Sequence, residues 1–230
     1  DEALRLLRFL NRRLGGHAAS LGHLARWSAR WPSGARVTLV DLGTGSADFP
    51  IAARRWALAR GFELRVTGVD LHPVTLDLAR AHVARFPREA EGIDLVHAEA
   101  GELVERFGAG SFDYAHAALF LHHLPPLRVL TVLRVMDRLA RRGVIWNDLV
   151  RSRAALTLAH LAVLGRPAHV RHDALVSVRA GFTPAEALDI ARRVGLGACR
   201  LSRHLLHRFT VACEKPGGWE APGRAGTCAP

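Results

Sequence analysis

Four short segments hold the residue types that could do chemistry. The first is Val37-Thr38-Leu39-Val40-Asp41-Leu42-Gly43-Thr44-Gly45, an apolar run that ends in a carboxylate and two glycines. A glycine turn at a strand end lets backbone come close to a ligand, and Asp41 suits a cationic amino group. The second is Val69-Asp70, where a carboxylate can accept hydrogen bonds from two ribose hydroxyls. The third is His97-Ala98-Glu99-Ala100. Glu99 can accept from an adenine amino group, and the next backbone N–H, at Ala100, can serve a ring nitrogen. The fourth is Leu119-Phe120-Leu121-His122-His123. Imidazole titrates near neutral pH, so either histidine could take a proton from an acceptor hydroxyl. A metal site is not expected, because adjacent side chains diverge and no third ligand is set by spacing.

These segments need strands that end at one edge of a sheet. From Ala35 the chain alternates short apolar runs with helical spacing. Strands are expected near 37–40, 64–69, 93–96, 112–121 and 144–146. Pro73 and Pro125-Pro126 fit the first turns of helices. Thr183-Pro184-Ala185-Glu186 is an N-cap, a first-turn proline and a capping-box glutamate. Strands separated by helices imply a parallel, doubly wound sheet, and two last strands near 198–203 and 208–213 should form an antiparallel hairpin. The expected fold is α/β and Rossmann-like. Residues 1–34 are read as an N-terminal helical cap of two helices, and 35–215 as the domain. Residues 151–180 are an insertion with an apolar helix near 152–164 and then a polar stretch, and 216–230 are a loose tail.

The chain has 230 residues, 49% hydrophobic and 23% charged, which excludes a disordered, collagen-like or coiled-coil protein. Three cysteines without a C-x-x-C are too few for a disulfide framework, so a reducing cytoplasm is expected. No apolar run reaches the ~18–20 residues of a membrane span. The net charge of +11 could serve nucleic acid, but the arginines are scattered and no aromatic residues interleave them, so a solvated basic surface is preferred. The dinucleotide fingerprint would need glycine at position 48. Asp48 stands there and would set a negative charge beside a pyrophosphate.

Asp41-Leu42-Gly43-Thr44-Gly45, Asp70 after strand two, Glu99-Ala100 after strand three and Ser111-Phe112-Asp113 opening strand four resemble, in that order, the class I S-adenosylmethionine-dependent methyltransferases. The likeness covers about 35–215, with Ala47 where the family pattern has a third glycine. It implies S-adenosylmethionine as cofactor and S-adenosylhomocysteine as product. Gly43, Thr44 and Gly45 would face the methionine part, Asp70 with Leu71 the ribose, Glu99 and Ala100 the adenine, and Ala117 the amino-acid end.

In that fold the end of strand four borders the reactive methyl, which makes His122 and His123 the catalytic candidates. Asp148 at the end of strand five, with His172 and Arg179 in the insertion, are the substrate candidates. Additions after strand five cover the acceptor in such enzymes, and an apolar lid suits an aromatic or lipid-like molecule. The expected reaction is methylation of a small acceptor, phenolic or quinone-like, at oxygen. The alternatives are a nucleic-acid methyltransferase that uses the basic surface and a non-catalytic scaffold that binds the cofactor.

Overall fold

The computed structural model describes residues 16–205, 207–216 and 219. The first expected helix, near 4–14, and the tail beyond 219 lie outside the described residues. Helix α1 is Gly16–Ser28, and the sheet begins with β1, Arg36–Leu42. The chain continues through α2 (Asp48–Leu58), β2 (Glu63–Asp70), α3 (Pro73–Val83), α4 (Pro87–Ala90) and β3 (Ile93–His97). It then runs through α5 (Leu103–Phe107), β4 (Phe112–Ala118), α6 (Pro126–Leu139) and β5 (Ala140–Leu149). Helices α7 (Arg153–Ala162), α8 (Ala168–Ala180) and α9 (Pro184–Val194) lead into the hairpin of β6 (Cys199–His204) and β7 (Arg208–Glu214).

The seven strands lie in the order β3-β2-β1-β4-β5-β7-β6. The first five are parallel, and β7 runs antiparallel to β5 and β6. This is a Rossmann-like doubly wound sheet whose order reverses between β1 and β4, where ligands bind in open α/β sheets.

Local chemistry explains the element ends. Pro73 and Pro126 sit in the first turns of α3 and α6, where a missing N–H costs nothing. Thr183 and Glu186 form the expected capping box, and Gly195 closes α9 with φ of 84°. Strand β5 starts earlier than the apolar run suggests. Arg141 and Arg142 donate to buried Asp113 at 2.8 and 2.5 Å, so charged residues are held in the ladder beside β4. Residues 168–180, read as a polar stretch, form a helix whose inner side buries Val170 and Val178.

The sheet is packed on both faces. On one, α1 and α2 bring Leu24, Trp27, Phe49 and Trp56 against Leu39, Tyr114, Ile145 and Ala212. On the other, α6 and α9 bring Val132, Leu133, Met136 and Ala191 against Trp146, Phe209 and Val211. Helix α1 is therefore part of the core as well as a cap. The cysteine expectation needs correction, since Cys199 and Cys213 are joined by a disulfide. They lie directly opposite one another in the hairpin. A count of three excludes a framework but not one bridge set by strand register. Among the described residues no helix is long and apolar enough to cross a membrane.

Candidate active site

At the carboxyl edge of the sheet a cavity of about 200 Å³ opens between α1, the β1–α2 turn and the end of β4. Gly43 and Gly45 take φ of 67° and 55°, a region that favours glycine, and Ala47 takes 58°. A Cβ on Gly43 would come within 2.4 Å of the Phe120 ring. At Gly43 the turn thus has no room for a side chain.

Asp41 is buried at the cavity floor. One carboxylate oxygen accepts from Thr44 Oγ1 at 2.7 Å, and the other pairs with His116 Nδ1 at 2.7 Å. His116 Nε2 lies 2.8 Å from Ser20 Oγ. Asn147 Nδ2 donates to Ser20 Oγ and to the Gly16 carbonyl, each at 3.0 Å. A carboxylate only accepts, so the hydrogen of His116 belongs on Nδ1, and Ser20 then donates to Nε2. This chain of bonds ties α1 to the ends of β1, β4 and β5. Phe49 stacks on His116 with centroids 3.6 Å apart.

Charges of both signs face the cavity. Asp41 and Asp48 supply carboxylates, and Arg208 reaches it from the first residue of β7. Burial lowers the Arg208 pKa to about 10, opposed by nearby Asp148. His17 also lines the cavity, and its pKa falls to about 4 through burial and then the nearness of His116 and Arg208.

Asp70 lies outside this lining, farther along the same edge. It accepts from the backbone N–H of Gly45 and of His72, each at 3.0 Å, and so braces the glycine turn against β2. Leu71 is exposed beside it. Glu99 accepts from Arg128 Nη1 at 2.6 Å, and Ala100 opens a 3₁₀ turn after β3. Ala117 is fully buried, while its neighbours Ala118 and Leu119 line the cavity. Leu119 has φ of 51°, a backbone strain placed where β4 meets the cavity.

The two histidines have different surroundings. His123 lines the cavity, and His122 lies buried behind it with ring centroids 4.0 Å apart. His122 Nδ1 is 2.6 Å from Asp148 Oδ1. Asp148 is fully buried and also accepts from Trp146 Nε1 at 3.2 Å and the Leu149 N–H at 2.9 Å. This position gives Asp148 a role behind His122 and no contact with the cavity. Burial lowers the His123 pKa, His122 adds to the shift, and Asp148 and Asp173 oppose it. His172 and Arg179 are exposed on α8 and do not line the cavity, although α8 packs against the Leu121–His123 turn.

Sequence reading did not single out His17, Ser20, His116 or Arg208. A signal existed for His116, a histidine inside the apolar run Tyr114–Ala118. None marked Arg208, whose place follows from the register that sets it opposite Leu149. Among the described residues no group of three or more His, Cys, Asp or Glu is placed to hold a metal ion.

The residues present suit a zwitterionic amino-acid group, since carboxylates and a guanidinium face one cavity beside the glycine turn. Residues 39–143 match the family model of a methyltransferase domain. No curated protein matches the sequence. The fold is similar to that of an O-methyltransferase from Nostoc punctiforme, at 18% identity and a TM-score of 0.62, over 88% of this chain and 57% of that one. This chain thus spans little more than half of that protein. Magnesium protoporphyrin IX methyltransferase from Synechocystis, solved with S-adenosylhomocysteine, is similar at 14% identity and a TM-score of 0.59, over 87% and 84% of the chains. A methyltransferase from Aquifex aeolicus is similar at 15% identity and a TM-score of 0.56, over 77% and 81%.

Proposed function

We propose that this chain is a class I S-adenosylmethionine-dependent methyltransferase, a reading its domain match and sheet support, and that it methylates a small acceptor at oxygen with His123 as the base. The observation that carries the reading is the position of His123. It lines the same cavity as Gly43 and Gly45, and the buried His122–Asp148 pair stands behind it. The cofactor supplies a methyl group on a sulfonium centre. Asp41 and Asp48 would face its ammonium group, Arg208 its carboxylate, and Asp70 and Glu99 the ribose and adenine.

His123 is desolvated, so it resists protonation and stays able to accept a hydroxyl proton at neutral pH. His122, held by Asp148, packs beside that ring and fixes its direction. An aligned nucleophile ~3–3.5 Å from the methyl carbon supplies much of the rate. The O-methyltransferase description of a similar fold supports a phenolic, quinone-like or lipid-like acceptor.

The test is methyl transfer from labelled cofactor to a panel of phenols and hydroquinones, read by mass spectrometry. O-methyl products that vanish with His123→Ala support the reading. Transfer to mixed RNA instead, or cofactor binding without transfer to any acceptor, defeats it.

A further inference from the structure

We infer that the outer face of α7 and α8 docks on an anionic lipid surface. Helix α7 is apolar in sequence, yet only Ala155 of its residues is buried. Leu158, Leu161 and Leu164 stay 39%, 60% and 68% exposed, with Val176 of α8 at 44%. Arg153, Thr157 and Leu161 follow at four-residue steps, so a guanidinium and a leucine share one helix face. Arg166 in the link between the two helices and Arg171 and Arg179 on α8 are exposed as well.

Charge decides what covers this face. Residues 151–180 hold five arginines and a single acidic residue, Asp173. Asp173 is itself exposed on α8, and Arg151 pairs with Glu186, so the segment keeps a net positive charge after both carboxylates are counted. A second copy of the chain would press one cationic face on another. A nucleic acid would take the arginines and leave the leucines in water. An anionic bilayer accepts both, with leucine side chains at the acyl boundary and guanidinium groups at headgroup phosphates. None of these residues lines the cavity, so the face has no use in the site already described. Because α8 also packs on the Leu121–His123 turn, the bilayer would lie over the acceptor side. The inference does not depend on the proposed reaction.

The purified chain is sedimented with vesicles of phosphatidylcholine alone and of phosphatidylcholine with phosphatidylglycerol, at low and high salt. Binding to the anionic vesicles that weakens with salt is expected. Leu161→Glu with Leu164→Glu should lower the bound fraction about tenfold or more while S-adenosylhomocysteine affinity is kept. Arg153→Gln with Arg171→Gln should also weaken binding and provides an independent test if the leucine variant fails to fold. Failure to bind anionic vesicles overturns the inference. So does binding that survives both variants, RNA binding in place of vesicle binding, or a dimer that the leucine variant dissolves.

Discussion

His123 and Arg208 both border the cavity, but they should fail in different ways. His123→Ala removes the proposed proton acceptor, so turnover should fall about 10²–10⁴-fold with cofactor affinity near wild type. The wild-type rate should persist below the ordinary histidine range, because burial holds the His123 pKa down. A pH–rate profile checks this, and its acid limb should move to still lower pH in Asp148→Asn, which removes a charge that opposes the shift. Arg208→Gln removes a charge that lines the cavity and is proposed to face the cofactor's amino-acid end. It should weaken S-adenosylhomocysteine by about 1.5–3 kcal/mol, roughly tenfold to more than a hundredfold, with partial recovery in Arg208→Lys. Calorimetry separates the two, since an unchanged affinity in Arg208→Gln assigns that residue to the acceptor side.

Helix α1 shows how an element's role depends on partners remote in sequence. Its spacing of Leu21, Leu24 and Trp27 announces a helix that buries one side. The placement of its first turn at the cavity is not legible there, because it depends on Ser20 meeting His116 and Asn147, 96 and 127 residues away. Residues whose positions follow strand-end order were legible, as with Asp41, Asp70 and the glycine turn. Residues placed by pairing across the sheet were not, as with Arg208 and the Cys199–Cys213 bridge. The same helix carries a pH sensitivity. Burial, with Arg26 nearby, lowers the His23 pKa from 6.5 to about 4, and its Nε2 lies 2.7 Å from Thr210 Oγ1. The unfolded chain takes a proton near pH 6.5 that the folded chain refuses until about pH 4. Stability is therefore complete above pH 6.5 and is lost as pH falls toward 4. The urea midpoint should drop between these limits, and His23→Gln should flatten the slope.

For the molecule as a whole, the cofactor turn, the core helices and the sheet belong to one folding unit, so ligand binding should register in global stability. Gly43 packs on Phe120, Gly45 is bonded to Asp70, and Asp41 is linked through His116 and Ser20 to α1. A ligand that binds only the folded chain adds about 2.7 kcal/mol at roughly a hundredfold excess over its dissociation constant. For a chain of this size each kcal/mol moves the midpoint by about 2–4 °C. S-adenosylhomocysteine should therefore raise the melting temperature by about 5–11 °C at that excess. NAD should give no shift, because Asp48 stands where its pyrophosphate would lie. Gly43→Ala should both lower the unliganded midpoint and abolish the shift, since its Cβ meets the Phe120 ring at 2.4 Å and its φ of 67° is strained for alanine. Differential scanning fluorimetry reads all three. If Gly43→Ala keeps the full ligand shift, the glycine turn does not hold the cofactor, and the adenosine-side residues Asp70 and Glu99 must carry the binding alone.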